Sequence, residues 1–180
     1  MLLVVDNGSV YTTNLVDFLN KKKINFEIFT PIKLDLENFE KYDSFILSGR
    51  RKNEKKTNEI NSKIIKHCIQ FEKKLLGICY GAEILALTLG GTIKKTNSLQ
   101  KGDEKIIIEK KNLICEKDLD VFESHSFEIS KLPNSLVPIG TSKNCRYEII
   151  QHKKNLLFGT QFHPEMSLDG QNLLEKFCNL

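Results

Sequence analysis

Short apolar runs alternate with longer stretches of helical periodicity along the first half of the chain. Residues 2–5 are uniformly apolar, the pattern of a strand buried on both faces. Residues 12–22 then place Leu15, Phe18 and Leu19 on one face of a helix. Residues 26–29 read as a second strand ended by Pro31, and 42–47 lead into a third, closed by Ser48-Gly49. Ile60, Ile64, Cys68 and Phe71 recur at helical spacing. A further apolar run at 75–78 precedes a helix-compatible segment, 82–89, closed by Gly90-Gly91. This alternation predicts βαβ units and a parallel sheet with helices on both faces.

Beyond residue 92 the pattern changes. Gly102-Asp103-Glu104 marks a turn and 105–109 a strand with charged flanks, which predicts a small antiparallel excursion. Pro133 and Pro138 bracket a short connection. Residues 145–151 and 156–160 predict a hairpin around His152-Lys153-Lys154-Asn155, and a last helix over 171–178 turns Leu173, Leu174 and Phe177 inward. With no repeat, low-complexity tract or linker, residues 1–180 are expected to form one domain.

Composition narrows the function classes. The 40% apolar and 28% charged fractions are those of an ordinary globular protein. No apolar run is long enough to span a bilayer, and Met1-Leu2-Leu3-Val4-Val5-Asp6 reads as a first strand, not a signal peptide. The five cysteines are scattered without a Cys-x-x-Cys pair, which predicts reduced thiols in a cytoplasm and argues against disulfides or a metal site. A net charge of +4, spread over the chain, gives little ground for nucleic-acid binding.

The chemistry concentrates at Gly77-Ile78-Cys79-Tyr80-Gly81. A buried strand, a turn carrying Cys and a following helix form the pattern of a nucleophile elbow, in which glycines clear the strand–helix crossing. A helix N-terminus there would favour the reactive thiolate. The plainer reading is a tight turn with Cys79 as a small buried residue. Ligands of parallel sheets bind at strand carboxyl ends, where Asp6, Ser48-Gly49 and Cys79 all fall, and this favours the functional reading. A nucleophilic Cys needs a base. Of His67, His125, His152 and His163, only His163 follows a strongly apolar strand and is fixed by a proline, with Glu165 two residues on to orient the imidazole.

With both motifs in hand, the chain resembles the class I (triad-type) glutamine amidotransferases over essentially its whole length. The nucleophile motif of that family, Gly-Ile-Cys-x-Gly, is matched at 77–81, and its Gln-Phe-His-Pro-Glu motif at 161–165. The resemblance implies a flavodoxin-like α/β fold and a Cys79–His163–Glu165 triad that hydrolyses glutamine to glutamate and ammonia, with no cofactor in this subunit. It implies oxyanion donors at Tyr80 and in the loop Ser48-Gly49-Arg50, and a glutamine-binding segment at Ser124, His125, Ser126 and Phe127. Three departures from the family pattern stand out. Arg50-Arg51 replaces the second Gly and the Pro of the oxyanion loop, and strains the backbone if Arg50 must sit at positive φ. Ala82-Glu83 replaces His-Gln, which bears on substrate affinity and identity. The stretch after Glu165 is shortened. Together they raise the expectation of a site that is unformed in the free subunit and completed by a partner.

The chain carries no ATP-binding loop, so the resemblance implies a separate ammonia-accepting synthase subunit. Asp6-Asn7-Gly8 and residues 147–152 are similar to the stand-alone glutaminase subunit of GMP synthase, whose acceptor is an ATP pyrophosphatase subunit. Residues 11–16 are similar to the glutaminases of anthranilate and aminodeoxychorismate synthases. The former is favoured. A γ-glutamyl hydrolase acting without a synthase, suggested by Glu83, and a catalytically silent regulatory module, suggested by Arg50-Arg51, are the readings from other classes.

Overall fold

The computed structural model describes residues 1–35 and 38–180. The chain runs β1 (Leu2–Val5), α1 (Thr12–Lys21), β2 (Phe26–Phe29), β3 (Ser44–Leu47), α2 (Lys55–Gln70), β4 (Lys74–Ile78) and α3 (Tyr80–Thr88). It continues with β5 (Thr92–Ile108), β6 (Leu119–Lys131), β7 (Leu136–Thr141), β8 (Ile149–His152), β9 (Leu157–Thr160) and α4 (Leu168–Cys178). Among the described residues the strands form one sheet in the order β2-β1-β3-β4-β9-β8-β7-β5-β6. The first five are parallel, in the doubly wound order of flavodoxin-like folds. The other four are antiparallel.

Alternation along the parallel strands divides the core into two layers. Leu2, Val4, Ile46, Leu76 and Phe158 pack beneath α1 and α4, against Leu15, Leu19, Leu174 and Phe177. Leu3, Val5, Phe45, Leu75 and Leu157 face α2 and α3, against Ile64, Ile65, Cys68 and Leu85. Each such Leu or Phe contributes on the order of 1.5–3 kcal/mol over an exposed one. Cys68 is wholly buried and serves the core.

Several boundaries differ from the sequence expectations. The strand expected at 105–109 is the end of the 17-residue β5, which pairs with β6 in a long antiparallel hairpin. Its polar composition hid it, because both strands leave much of their surface to solvent. The helix α2 starts at Lys55, inside the stretch read as a basic loop. Pro138 lies within β7, next to an irregularity between Pro138 and Gly140. Residues 145–148 form a turn before β8, with the Cys145 carbonyl accepting from the Ser142 N–H. The last helix begins at Leu168, because Ser167 Oγ caps it by accepting from Gly170 N.

Candidate active site

Cys79 joins β4 to α3 at φ 51°, ψ −104°. A non-glycine residue in that region stores roughly 1–3 kcal/mol of strain. The surroundings hold it there. Its N–H donates to Thr160 O at 2.7 Å, and its carbonyl accepts from the N–H groups of Ala82 and Glu83. The two glycines are required by close approach: a Cβ at Gly77 would stand 2.3 Å from the Gly81 carbonyl carbon, and one at Gly81 2.3 Å from Leu47 O. The elbow expected from the sequence is present.

The expected thiolate is not the resting form. Burial, then the neighbouring Glu83 carboxylate and Glu165, push the Cys79 thiol well above its ordinary value, outweighing the Tyr80 N–H and Arg50, which favour the anion. Glu83 is itself shifted up by burial, against the pull of Arg50, Gln161 and His125. Its Oε1 accepts from Gln161 Nε2 at 3.4 Å.

His163 follows β9. Its Nδ1 lies 2.9 Å from Glu165 Oε1, both side chains are almost fully buried, and its backbone N–H donates to Phe122 O. Tyr11, singled out by no sequence motif of the site, packs its ring 4.5 Å from the imidazole. A Cβ at Gly49 would come 3.0 Å from His163 Cε1, so the loop after β3 touches the imidazole directly. The turn Pro164–Met166 leads at once into α4.

A pocket of about 320 Å³ lies between α3, β6 and the loop after β3. Cys79, Tyr80, Glu83, Arg50, Ser124, His125, Ser126 and Phe127 line it. Arg51, Asn53 and Leu99 complete the wall, and no sequence motif points to them. Leu99 lies in the stretch between Lys95 and Gln100 where the β5–β6 register shifts. His163, Glu165 and Gly49 are not part of the lining. Gly49 and Glu165 are instead tied to His163.

Arg50 is not strained, because its φ is negative. Its guanidinium stacks 4.2 Å above the Tyr80 ring and donates to Asn53 and Asn58, while Tyr80 Oη donates to Asn58 Oδ1 at 2.7 Å. A bridge between Gly8 and Arg50, with Asn7 Nδ2 donating to Ser48 O, ties the loop to the turn after β1. Ala82 is buried in the α2/α3 layer, so its departure from the family pattern bears on packing against β9 and not on the pocket.

The remaining histidines have structural surroundings. His152 Nδ1 accepts from the N–H groups of Lys154 and Asn155 in the β8–β9 turn. His67 lies among Phe39, Phe45 and Phe71. Among the described residues, no group of three or more His, Cys, Asp or Glu could hold a metal ion. No helix of the described residues is long and apolar enough to cross a membrane.

With this geometry established, comparison with known proteins decides the family. The family model for class-I glutamine amidotransferases matches residues 3–179. The chain belongs to that family. The glutamine-hydrolysing subunit of GMP synthase from Methanocaldococcus jannaschii is 27% identical over 100% of this chain and 97% of its own length. The single-chain GMP synthase of Thermosipho africanus is 31% identical over 99% of this chain but only 35% of its own length. A crystal structure from Thermoplasma acidophilum, described as a candidate GMP synthase subunit, superposes with a TM-score of 0.87 at 26% identity, covering 99% of this chain and 92% of that one. In this amidotransferase, then, the pocket sits at the carboxyl end of the parallel strands, where an α/β fold binds ligands.

Proposed function

We propose that this chain is the glutamine-hydrolysing subunit of a two-subunit GMP synthase, with Cys79 as nucleophile, His163 as acid–base group and Glu165 as the residue that orients it. The observation that carries the reading is the strained Cys79 elbow opening into the pocket, with a buried His163–Glu165 pair of 2.9 Å beside it. The whole chain is read as one amidotransferase domain, acting in the cytoplasm without a cofactor of its own. The relatives named as separate GMP synthase subunits support the synthase assignment.

The reaction follows from these groups. Glu165 accepts a hydrogen bond from Nδ1–H and leaves the Nε2 lone pair of His163 free to take the Cys79 proton. Because the thiol is buried and held protonated, transfer accompanies attack on the glutamine amide carbon and does not precede it. The oxyanion of the tetrahedral adduct takes the N–H of Tyr80 and a backbone N–H of the Gly49-Arg50 loop. Loss of one such donor costs about a hundredfold or more in rate. The imidazolium then protonates the leaving nitrogen, ammonia departs, and water activated by His163 cleaves the γ-glutamyl thioester. Ser124, His125, Ser126 and Phe127 frame the amino-acid end of glutamine, and Glu83 lines the wall near the nucleophile.

The test is labelling with 6-diazo-5-oxo-L-norleucine followed by peptide mass spectrometry. A single adduct on Cys79, suppressed by excess glutamine and absent from Cys79→Ala, is expected. Labelling of other cysteines with Cys79 spared defeats the assignment.

A further inference from the structure

Behind the pocket wall three buried titratable side chains meet that the proposed reaction leaves unused: Glu123 and His125 on β6, and Glu148 before β8. His125 Nε2 lies 3.5 Å from Glu123 Oε2, with both side chains almost without solvent contact. His125 Nδ1 lies 2.9 Å from Phe127 O, which also accepts from Gln161 Nε2. Glu148 Oε1 accepts from Ser142 Oγ at 2.7 Å. Glu123 Oε1, His125 Nε2 and Glu148 Oε2 have no hydrogen-bond partner among the described residues. Such buried orphans are rare, and two facing carboxyl groups satisfy each other once a proton lies between them.

We infer that Glu123 is a positioning residue for the substrate amino acid: it shares one proton with Glu148, and the remaining negative charge holds His125 as an imidazolium that fixes the 124–127 wall of the pocket through Phe127 O. The inference rests on the amidotransferase reading for the identity of that substrate. Two adjacent buried carboxylates do not both ionise. Burial and the neighbouring Glu123 push Glu148 far up, so it carries the proton. Burial alone would raise Glu123, but contact with His125 and Glu148 outweighs it and keeps Glu123 anionic. The cluster then holds one anion and one cation.

The groups facing this pair come from every element packed on it. Glu83 of α3 faces His125, Glu148 and His163 face Glu123, and Arg50 faces Glu83 across the pocket. Burial opposes the charge on His125, but Glu123 outweighs it and moves the imidazole above its ordinary value. The cation is therefore present below that raised value and lost as pH climbs through it. Once it is lost, an Nε2 lone pair faces the Glu123 carboxylate and the contact turns repulsive. The wall at 124–127 loosens, while Cys79 and the His163–Glu165 pair are untouched.

The experiment separates binding (KI) from chemistry (kinact) in the Cys79 labelling reaction, alongside an NMR titration of the His125 imidazole, identified by the resonance missing from His125→Asn. In the unmodified protein His125 is expected to stay protonated at pH 7.5, and KI to rise between about pH 7 and 8.5 with kinact following its own course. Glu123→Gln is expected to raise KI about tenfold at neutral pH and to move the His125 midpoint down by about one unit, with kinact within about twofold. Glu148→Gln, which keeps the Glu123 charge, is expected to leave both near the unmodified values. Equal damage from both variants, or a fall in kinact matching the rise in KI, identifies a merely structural cluster and overturns the inference. If Glu123→Gln does not fold, the unmodified protein decides, because a His125 already neutral at pH 7.5 overturns it. Absence of any Cys79 adduct defeats the amidotransferase reading instead, and the NMR arm still judges the proton arrangement by itself.

Discussion

Glu83 is the residue at which this site departs most in charge from its family. The family pattern has a neutral glutamine there, and this chain puts a carboxyl group against the nucleophile. After burial, Glu83 is the largest influence holding the Cys79 thiol protonated. The sign of its removal follows: with no carboxylate nearby, the thiolate costs less and forms at lower pH. Glu83→Gln is therefore expected to speed alkylation of Cys79 by iodoacetamide at a fixed, mildly alkaline pH by about threefold to tenfold, each pKa unit being worth tenfold in thiolate. An alkylation profile that keeps its midpoint would show that Glu83 does not reach the sulfur electrostatically. Arg50, the other departure, acts in the opposite direction, because its guanidinium favours the thiolate and Glu83 ionisation alike. The two unusual residues thus partly compensate each other across the pocket mouth.

At the scale of elements, the site depends on contacts too close for a side chain. A Cβ added at Gly170 in α4 would stand 2.4 Å from Pro164 O and 2.5 Å from Pro164 Cα. Gly170→Ala must therefore displace the turn that carries Glu165 and follows His163. A misplacement near 1 Å can cost about a hundredfold in rate, so kinact at Cys79 is expected to fall by about tenfold to a hundredfold. Gly90→Ala is the control. Gly90 has φ +95° and would meet nothing within 4 Å, so its substitution should lower thermal stability and leave kinact alone. The sequence made most of this architecture legible wherever hydrophobic periodicity was strong. The β1, β3 and β4 runs, the α1 face and the Gly77-x-Cys79-x-Gly81 elbow all announced themselves. Gly170 did not, because its signal is a contact with Pro164 and not a pattern along the chain. The Glu123–His125 cluster was hidden for a related reason. Alternation along β6 does put Val121, Glu123 and His125 on the buried face, but a buried carboxylate next to a buried imidazole contradicts the expectation that strand interiors are apolar. Glu148, which completes the cluster, arrives from 25 residues further on than Glu123. The thiolate expectation failed at the same boundary: the helix N-terminus was readable, the burial of the sulfur was not.

For the whole molecule, size relative to its relatives poses the question of where the ammonia goes. The chain spans 97% of the M. jannaschii glutamine-hydrolysing subunit but 35% of the single-chain T. africanus enzyme, so the bacterial relative carries on one polypeptide far more than this chain provides. An acceptor on a second polypeptide would have to sit where ammonia leaves the pocket. The pocket mouth carries exposed Arg51 and the half-exposed apolar groups Leu99 and Phe127, a mixture suited to a partner surface. In the free chain the nucleophile is protonated and nearly inaccessible, with 8% of its surface exposed, which favours slow turnover until the loop after β3 is engaged. Mixing with an ATP pyrophosphatase subunit is therefore expected to give a stable complex by light scattering and to raise glutamine hydrolysis by at least about tenfold, as gating by a partner commonly does. A chorismate-binding subunit is expected to do neither. Full glutaminase activity of the free chain, unchanged by the ATP pyrophosphatase subunit, would mean that the site is complete on its own and that the departures at Arg50 and Glu83 serve substrate choice instead of coupling.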